Sequence, residues 1–263
     1  MPTNQRQLLA WVEREVARCR PIALRYFRSS TLQVTRKADD SPVTEADRGV
    51  EERLRRALAH TFPGETIVGE EFGRSGVDAQ TYWIIDPIDG TRAFSRGLPT
   101  WAIMVGRVER GRAVLGLCDF PALGVTMGVA PGVAAYQRVG RRVSRFPRPR
   151  PVRTLSELVL LHGGLRWWWT SRYAEGFVRL TRQCYLERAY GDCYGYLWAL
   201  RGGVDAVIDY GVKPWDLVPL AALARATGRV LTDVSGHDSF TGPDAIFASP
   251  TVARLIVKTL RPR

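Results

Sequence analysis

The chain has 263 residues, 45% hydrophobic and 24% charged, enough for one large or two moderate domains with a genuine core. Its formal charge of +12 favours anionic partners, but the charge is diffuse, only three of the 38 basic residues being lysine (Lys37, Lys213, Lys258). No nucleic-acid recognition motif accompanies it, so nucleic acid is not expected as a main partner. No apolar run approaches the roughly 20 residues that span a bilayer, and MPTNQRQLLAWVERE carries acids where a signal peptide has an apolar core; a cytoplasmic protein is expected.

Apolar residues at helical spacing (Leu8, Val12, Val16) predict a helix or two from Asn4 to about Phe27, with Pro21 as an interruption. A polar loop through Ser41-Pro42 follows. Thr44 is then a candidate N-cap, with Asp47 three residues on and a periodic stretch to Phe62. After the Pro63-Gly64 break, ETIVGEEFG reads as a strand ending on Glu70 and Glu71, and TYWIID as a second ending on Asp86. WAIMVGRVERGRAVLGLCDF alternates around Glu109-Arg110-Gly111 and predicts a hairpin, with more strand in VTMGVAPGVAAYQRVGRRV. Helices covering a largely antiparallel sheet are expected in this half.

The Arg- and Pro-rich segment 141–153 is the best candidate boundary, dividing the chain into 1–145 and 146–263. Beyond it, strands in SELVLLHGG, LERAY, DAVIDYG, RVLTDV and AIFAS alternate with helical stretches in YAEGFVRLTRQ, DCYGYLWALRGG, WDLVPLAALARATG and SPTVARLIVKTL, a pattern of α/β type. Trp167-Trp168-Trp169 reads as a buried cluster or a subunit contact before it reads as a ligand platform. The four cysteines and three histidines are scattered, which indicates neither a zinc cluster nor a disulfide framework.

Five acids fall at the ends of predicted elements rather than on helix faces: Glu70, Glu71, Asp86, Asp89 and Asp216. In WIIDPIDGT, Pro87-Ile88 separates Asp86 from Asp89, so that both carboxylates and the Ile88 carbonyl can face one point. Oxygen ligands of this kind suit a hard divalent cation such as Mg²⁺, which takes one or two carboxylates and completes its shell with water and phosphate oxygens. Gly90-Thr91 then opens a short helical turn whose outward N–H groups suit a phosphate. Each piece alone has a plainer reading: Asp-Gly as a turn, Asp47 and Asp216 as helix caps.

In combination, KADDSPVTEAD (37–47), GEEFG (69–73), WIIDPIDGTRAF (83–94) and KPWDLVPLAALARATG (213–228) resemble the inositol monophosphatase superfamily of Mg²⁺-dependent phosphomonoesterases. The resemblance implies a layered α-β-α-β-α sandwich, commonly a homodimer, acting on a small phosphate ester with two or three Mg²⁺ ions. It assigns Glu70, Asp86 and the Ile88 carbonyl to one ion, and Asp86, Asp89 and Asp216 to a second. Glu71, Asp47 and Lys37 would support the site, Glu70 with Thr91 would position and deprotonate the attacking water, and the Gly90 and Thr91 N–H groups would hold the phosphate.

The flanking segments GLPTW, RAYGDC and KPWD look more like the bacterial histidinol-phosphate phosphatase branch. Histidinol phosphate carries an ammonium and an imidazole, so Asp192 and Asp209 would favour it, and Arg188 would contact substrate or phosphate. An inositol-1-monophosphatase and a 3′(2′),5′-bisphosphate nucleotidase are the alternatives within the superfamily; a non-catalytic basic RNA-binding protein is the alternative outside it. Residues 131–153 depart from the usual family pattern.

Overall fold

A computed structural model describes residues 2–30, 32–36 and 42–262. The chain divides into two compact units, Met1–Arg145 and Phe146–Arg263.

The first unit opens with α1 (Gln5–Tyr26), capped by the Asn4 side chain, which accepts from the Gln7 N–H. Pro21 lies inside this single helix and does not interrupt it. Its ring is on the exposed face, while the buried stripe Leu8, Val12, Val16, Cys19, Ala23 runs past it uninterrupted; burying that stripe outweighs the one lost hydrogen bond. Strands β1 (Val34–Arg36) and β2 (Pro42–Thr44) pair antiparallel and lead into α2 (Glu45–Thr61). A reciprocal capping box starts α2, with Thr44 accepting from the helix backbone and Asp47 accepting from the Thr44 N–H.

There follow β3 (Thr66–Gly69), β4 (Gly73–Ser75), β5 (Tyr82–Asp89), the short helix α3 (Thr91–Ser95), and then β6 (Ala102–Glu109), β7 (Arg112–Phe120), β8 (Val125–Ala130), β9 (Val133–Val139) and β10 (Arg142–Arg145). They build an eight-stranded sheet in the order β10-β9-β8-β7-β6-β5-β3-β4. Every pairing is antiparallel except β3 with β5. Helices α1 and α2 bury their stripes against Trp83, Ile85, Ile103, Val105, Leu115 and Leu117. The alternate residues Ile84, Met104, Cys118 and Met127 are buried too, so these central strands read as unbroken apolar runs.

The second unit contains β11 (Val159–His162), α4 (Leu165–Trp169), α5 (Ala174–Thr181), β12 (Leu186–Arg188), α6 (Asp192–Leu200), β13 (Ala206–Tyr210), α7 (Pro214–Ala226), β14 (Val230–Thr232), β15 (Asp244–Ala248) and α8 (Pro250–Leu260). Its sheet runs β12-β11-β13-β15-β14, with β11 parallel to both β12 and β13. Helices α5 and α8 cover one face through Phe177, Leu180, Val252, Ile256 and Leu260, packed with Leu160, Ile208 and Ile246. On the other face lie the alternate residues Val207 and Phe247, the latter edge-to-face with Tyr196 of α6. The Trp triplet forms α4, in which Trp168 is buried while Trp167 and Trp169 are exposed, so the buried-cluster reading holds for one ring of three. Among the described residues no helix is long and apolar enough to cross a membrane.

Candidate active site

Strand β5 carries the first acids. It does not stop at Asp86, as the sequence pattern predicts, but continues through Pro87 to Asp89. A register shift between Asp86 and Asp89 absorbs the proline: Asp86 still pairs with Met104, and Asp89 opposes Ala102. The Asp86 carboxylate is fixed locally, its Oδ1 accepting from the Ile88 N–H at 3.0 Å. Asp86, Ile88 and Asp89 are all buried, which is costly for two carboxylates unless a cation or donors face them. Gly90 follows with φ of 81°, a left-handed conformation that suits glycine, and caps α3.

Thr91, the first residue of α3, lies between two acceptors. Its Oγ1 is 3.0 Å from the Ile88 carbonyl oxygen and 3.3 Å from Asp47 Oδ1. The hydroxyl has one proton, so it donates to one of them at a time. Asp47 is fully buried, and its other oxygen accepts from the Thr44 N–H at 2.8 Å and the Thr44 hydroxyl at 2.5 Å. Burial pushes the Asp47 carboxyl up to about 6; the negative charge of Glu70 adds to that, and the Thr44 hydrogen bonds oppose it.

Glu70 and Glu71 follow β3, where the Glu70 N–H donates to the Ile85 carbonyl of β5. A residue that sequence reasoning missed holds this turn. Glu51, on the buried face of α2, accepts from the Glu71 N–H at 2.7 Å and the Phe72 N–H at 3.1 Å, and pairs with Arg55. Gly69 makes room for it: a Cβ there would stand 2.0 Å from Glu51 Oε1. The signal was present in the sequence, since Glu51 falls four residues after Asp47 on the stripe that buries Val50, Leu54 and Leu58.

In the second unit, Asp216 lies in the first turn of α7, behind Pro214, and its Oδ2 accepts from the Lys213 N–H at 2.8 Å. It caps the helix. Asp86 and Asp89 each present a carboxylate oxygen within 4.8 Å of the other's. An all-oxygen, multiply anionic donor set of this kind fits a hard divalent cation.

Asp209, on β13, is buried and accepts from the Tyr196 hydroxyl at 2.8 Å. Burial lifts its carboxyl to about 8, the Tyr196 bond works against the shift, and the charges of Asp192 and Asp216 add to it. Burial thus favours the protonated form of Asp209. Asp192 opens α6 in a left-handed conformation, φ 56°, which Asp tolerates better than most residues. Arg188 turns its guanidinium back onto the Glu187 carbonyl at 2.7 Å. Lys37 lies outside the described residues. Tyr196, which sets the Asp209 carboxyl, was not among the residues picked from sequence; apolar helical neighbours gave it no distinguishing pattern.

The inositol monophosphatase family matches residues 4–261. The histidinol-phosphatase of Mycobacterium tuberculosis is 36% identical over 84% of this chain and 85% of its own length. That of Streptomyces coelicolor is 33% identical over 87% of this chain and 86% of its own. Among solved structures, an IMPase of Thermotoga maritima superposes with a TM-score of 0.79 at 26% identity, covering 95% of this chain and 96% of that one. With its sheets flanked by helices and its acids at the ends of β5 and the start of α7, the chain belongs to the inositol monophosphatase family and is a phosphatase of α/β-sandwich fold.

Proposed function

We propose that this phosphatase hydrolyses histidinol phosphate to histidinol and phosphate, using Mg²⁺ held by Asp86, Asp89 and Asp216 together with Glu70 and the Ile88 carbonyl. The observation that carries the choice of substrate is buried Asp209, whose carboxyl is pushed up to about 8 by burial, with the charge of Asp192 adding to the shift. A cation offsets both effects, and histidinol offers an ammonium and an imidazole where inositol offers hydroxyls. The two histidinol-phosphatases at 36% and 33% identity support the same reading.

Bound Mg²⁺ would lower the pKa of water and offset phosphate charge. The chain supplies the rest. The Gly90 and Thr91 N–H groups, at the start of α3, orient the phosphate oxygens. The Thr91 hydroxyl, its proton directed to Ile88 or Asp47, turns a lone pair to the attacking water, and Glu70 takes that water's proton. Glu51 holds the Glu70–Phe72 turn by its two backbone hydrogen bonds, so that Glu70 meets the water at fixed distance. Glu71, Asp47 and Lys37 support this arrangement, and Arg188 contacts the substrate. A cytoplasmic homodimer belongs to the same proposal; light scattering at twice the 29.4 kDa of one chain checks the assembly.

The test is the ranking of kcat/KM, with Mg²⁺, for histidinol phosphate, inositol 1-phosphate, adenosine 3′,5′-bisphosphate and fructose 1,6-bisphosphate. Histidinol phosphate should lead by about 100-fold, as expected when a buried charge partner is left unmatched by competitors. A lead for inositol 1-phosphate or the bisphosphates would sink the substrate reading.

A further inference from the structure

His162 closes β11 and is almost fully buried, yet neither the family motifs nor the catalytic arrangement uses it. Its two ring nitrogens both face acceptors. Nδ1 lies 2.8 Å from the Gly163 carbonyl oxygen, and Nε2 lies 3.0 Å from Oε2 of Glu187 on β12. A neutral imidazole has one donor, so either tautomer would leave one nitrogen lone pair against an oxygen lone pair. Both contacts are satisfied when the ring carries a proton on each nitrogen and Glu187, at 44% side-chain exposure, is the carboxylate paired with it.

The place of this pair in the sheet gives it a consequence. Strand β12 has three residues and sits at the edge of its sheet, where among the described residues it pairs with β11 alone. Register puts Glu187 opposite Leu160 and Arg188 opposite Leu161. Glu187 and His162 therefore share the α5 face, where the His162 and Phe177 rings stand T-shaped with centroids 5.1 Å apart, and Arg188 projects from the opposite face, the one that carries Asp209. Behind β12 the chain reaches Gly191, which packs so tightly on Gly163 that a Cβ there would stand 2.8 Å from the Gly163 Cα. Gly163 in turn abuts Asp209, whose Oδ1 would lie 2.0 Å from a Cβ at that position. One rigid corner thus joins His162-Gly163, Glu187-Arg188, Gly191-Asp192 and Asp209.

We propose that His162 is a positioning residue for substrate selection: as a doubly protonated imidazolium bridging the Gly163 carbonyl to Glu187, it clamps β12 from behind and fixes Arg188 and Asp192 against Asp209. This rests on the proposed role of Arg188, Asp192 and Asp209 at the alcohol part of the substrate. Among the described residues Glu187 on β12 is the charged group paired with the ring, α5 presents the Phe177 ring to it, and Arg188 and Asp209 lie on the opposite face of the sheet.

Three readouts test it on the full-length protein, using His162→Gln and, as a milder change at a half-exposed position, Glu187→Gln. The ¹⁵N signals of the His162 ring at pH 7 should show both nitrogens protonated in the wild type; a singly protonated ring overturns the proposal. Hydrogen exchange over residues 186–192 should accelerate about tenfold or more in both variants while β13 and β15 keep their protection, as expected for a locally released edge; wild-type protection in that segment overturns it. With histidinol phosphate, KM should rise about fivefold at nearly constant kcat, while p-nitrophenyl phosphate turnover stays within about twofold, the pattern of lost ground-state binding. Equal losses on both substrates would make His162 merely structural. A wild type inactive on histidinol phosphate would refute the substrate reading instead, and the ring and exchange readouts would still decide the role of His162.

Discussion

Replacing Asp209 with Asn should stabilise the metal-free protein at alkaline pH. The Asp209 carboxyl is lifted from 3.8 to about 8 by burial, so the fold prefers the protonated acid. Its contribution to stability is complete below about pH 4 and is lost as pH rises towards 8, because ionisation is easy in the unfolded chain and hard in the folded one. At 1.36 kcal/mol per pH unit of difference the loss is on the order of 5 kcal/mol, and relaxation of the site brings a realistic figure to ~3 kcal/mol. Asparagine copies the protonated acid: its oxygen accepts from the Gly163 N–H, and its amide donates to the Tyr196 hydroxyl oxygen, which stands 2.8 Å from the carboxyl in the wild type. Thermal unfolding of both proteins in EDTA at pH 5 and pH 8.5 measures the effect. The Asn variant should gain about 6–12 °C on the wild type between the two pH values, at 2–4 °C per kcal/mol for a chain of this size. Parallel loss of stability in the two proteins would show that Asp209 does not carry this pH dependence.

Gly69→Ala should displace Glu51 from the Glu71 and Phe72 N–H groups, because the new Cβ would stand 2.0 Å from its Oε1; chemical denaturation should show a loss of ~2 kcal/mol, with kcat falling as the Glu70 turn loosens. Thr91→Val removes the hydroxyl shared by Ile88 and Asp47, and steady-state kinetics should show kcat reduced about 100-fold at little-changed KM. Arg229→Lys should cost ~2 kcal/mol in urea unfolding. The buried Arg229 guanidinium, held down to about 10 by desolvation, donates to the carbonyls of Pro147, Ala199 and Thr227 and so serves the C-terminal ends of α6 and α7 together, a reach that an ammonium does not have.

The sequence was most legible where one residue type has one structural use. Thr44 with Asp47 spells a capping box, Pro214 with Asp216 spells a helix start, and Glu109-Arg110-Gly111 spells a hairpin; each is local chemistry and each is found. It was less legible where tertiary packing overrides a local rule. Pro21 stays inside α1 because an apolar stripe continues past it, and Pro87 stays inside β5 because a bulge takes up the missing donor. The acids of the site stood out by lying at element ends. Glu51, Tyr196 and His162 did not, since their roles come from partners 13 to 25 residues away, such as Asp209 for Tyr196 and Glu187 for His162. The histidine in particular read as isolated in the chain, and only the parallel pairing of β11 with β12 sets a carboxylate beside it.

The divalent cation proposed to be held by Asp86, Asp89 and Asp216 should be required for phosphate release. Phosphate release from histidinol phosphate, followed as Mg²⁺ is titrated from zero into the wild type and Asp89→Asn, tests it most directly. Release should start from background and saturate with Mg²⁺ in the wild type, and fall by about 10³-fold in the variant at unchanged circular dichroism, as expected when several kcal/mol of transition-state stabilisation are removed. Release that ignores Mg²⁺, or an Asp89→Asn rate within about threefold of the wild type, would rule out a cation held by these acids.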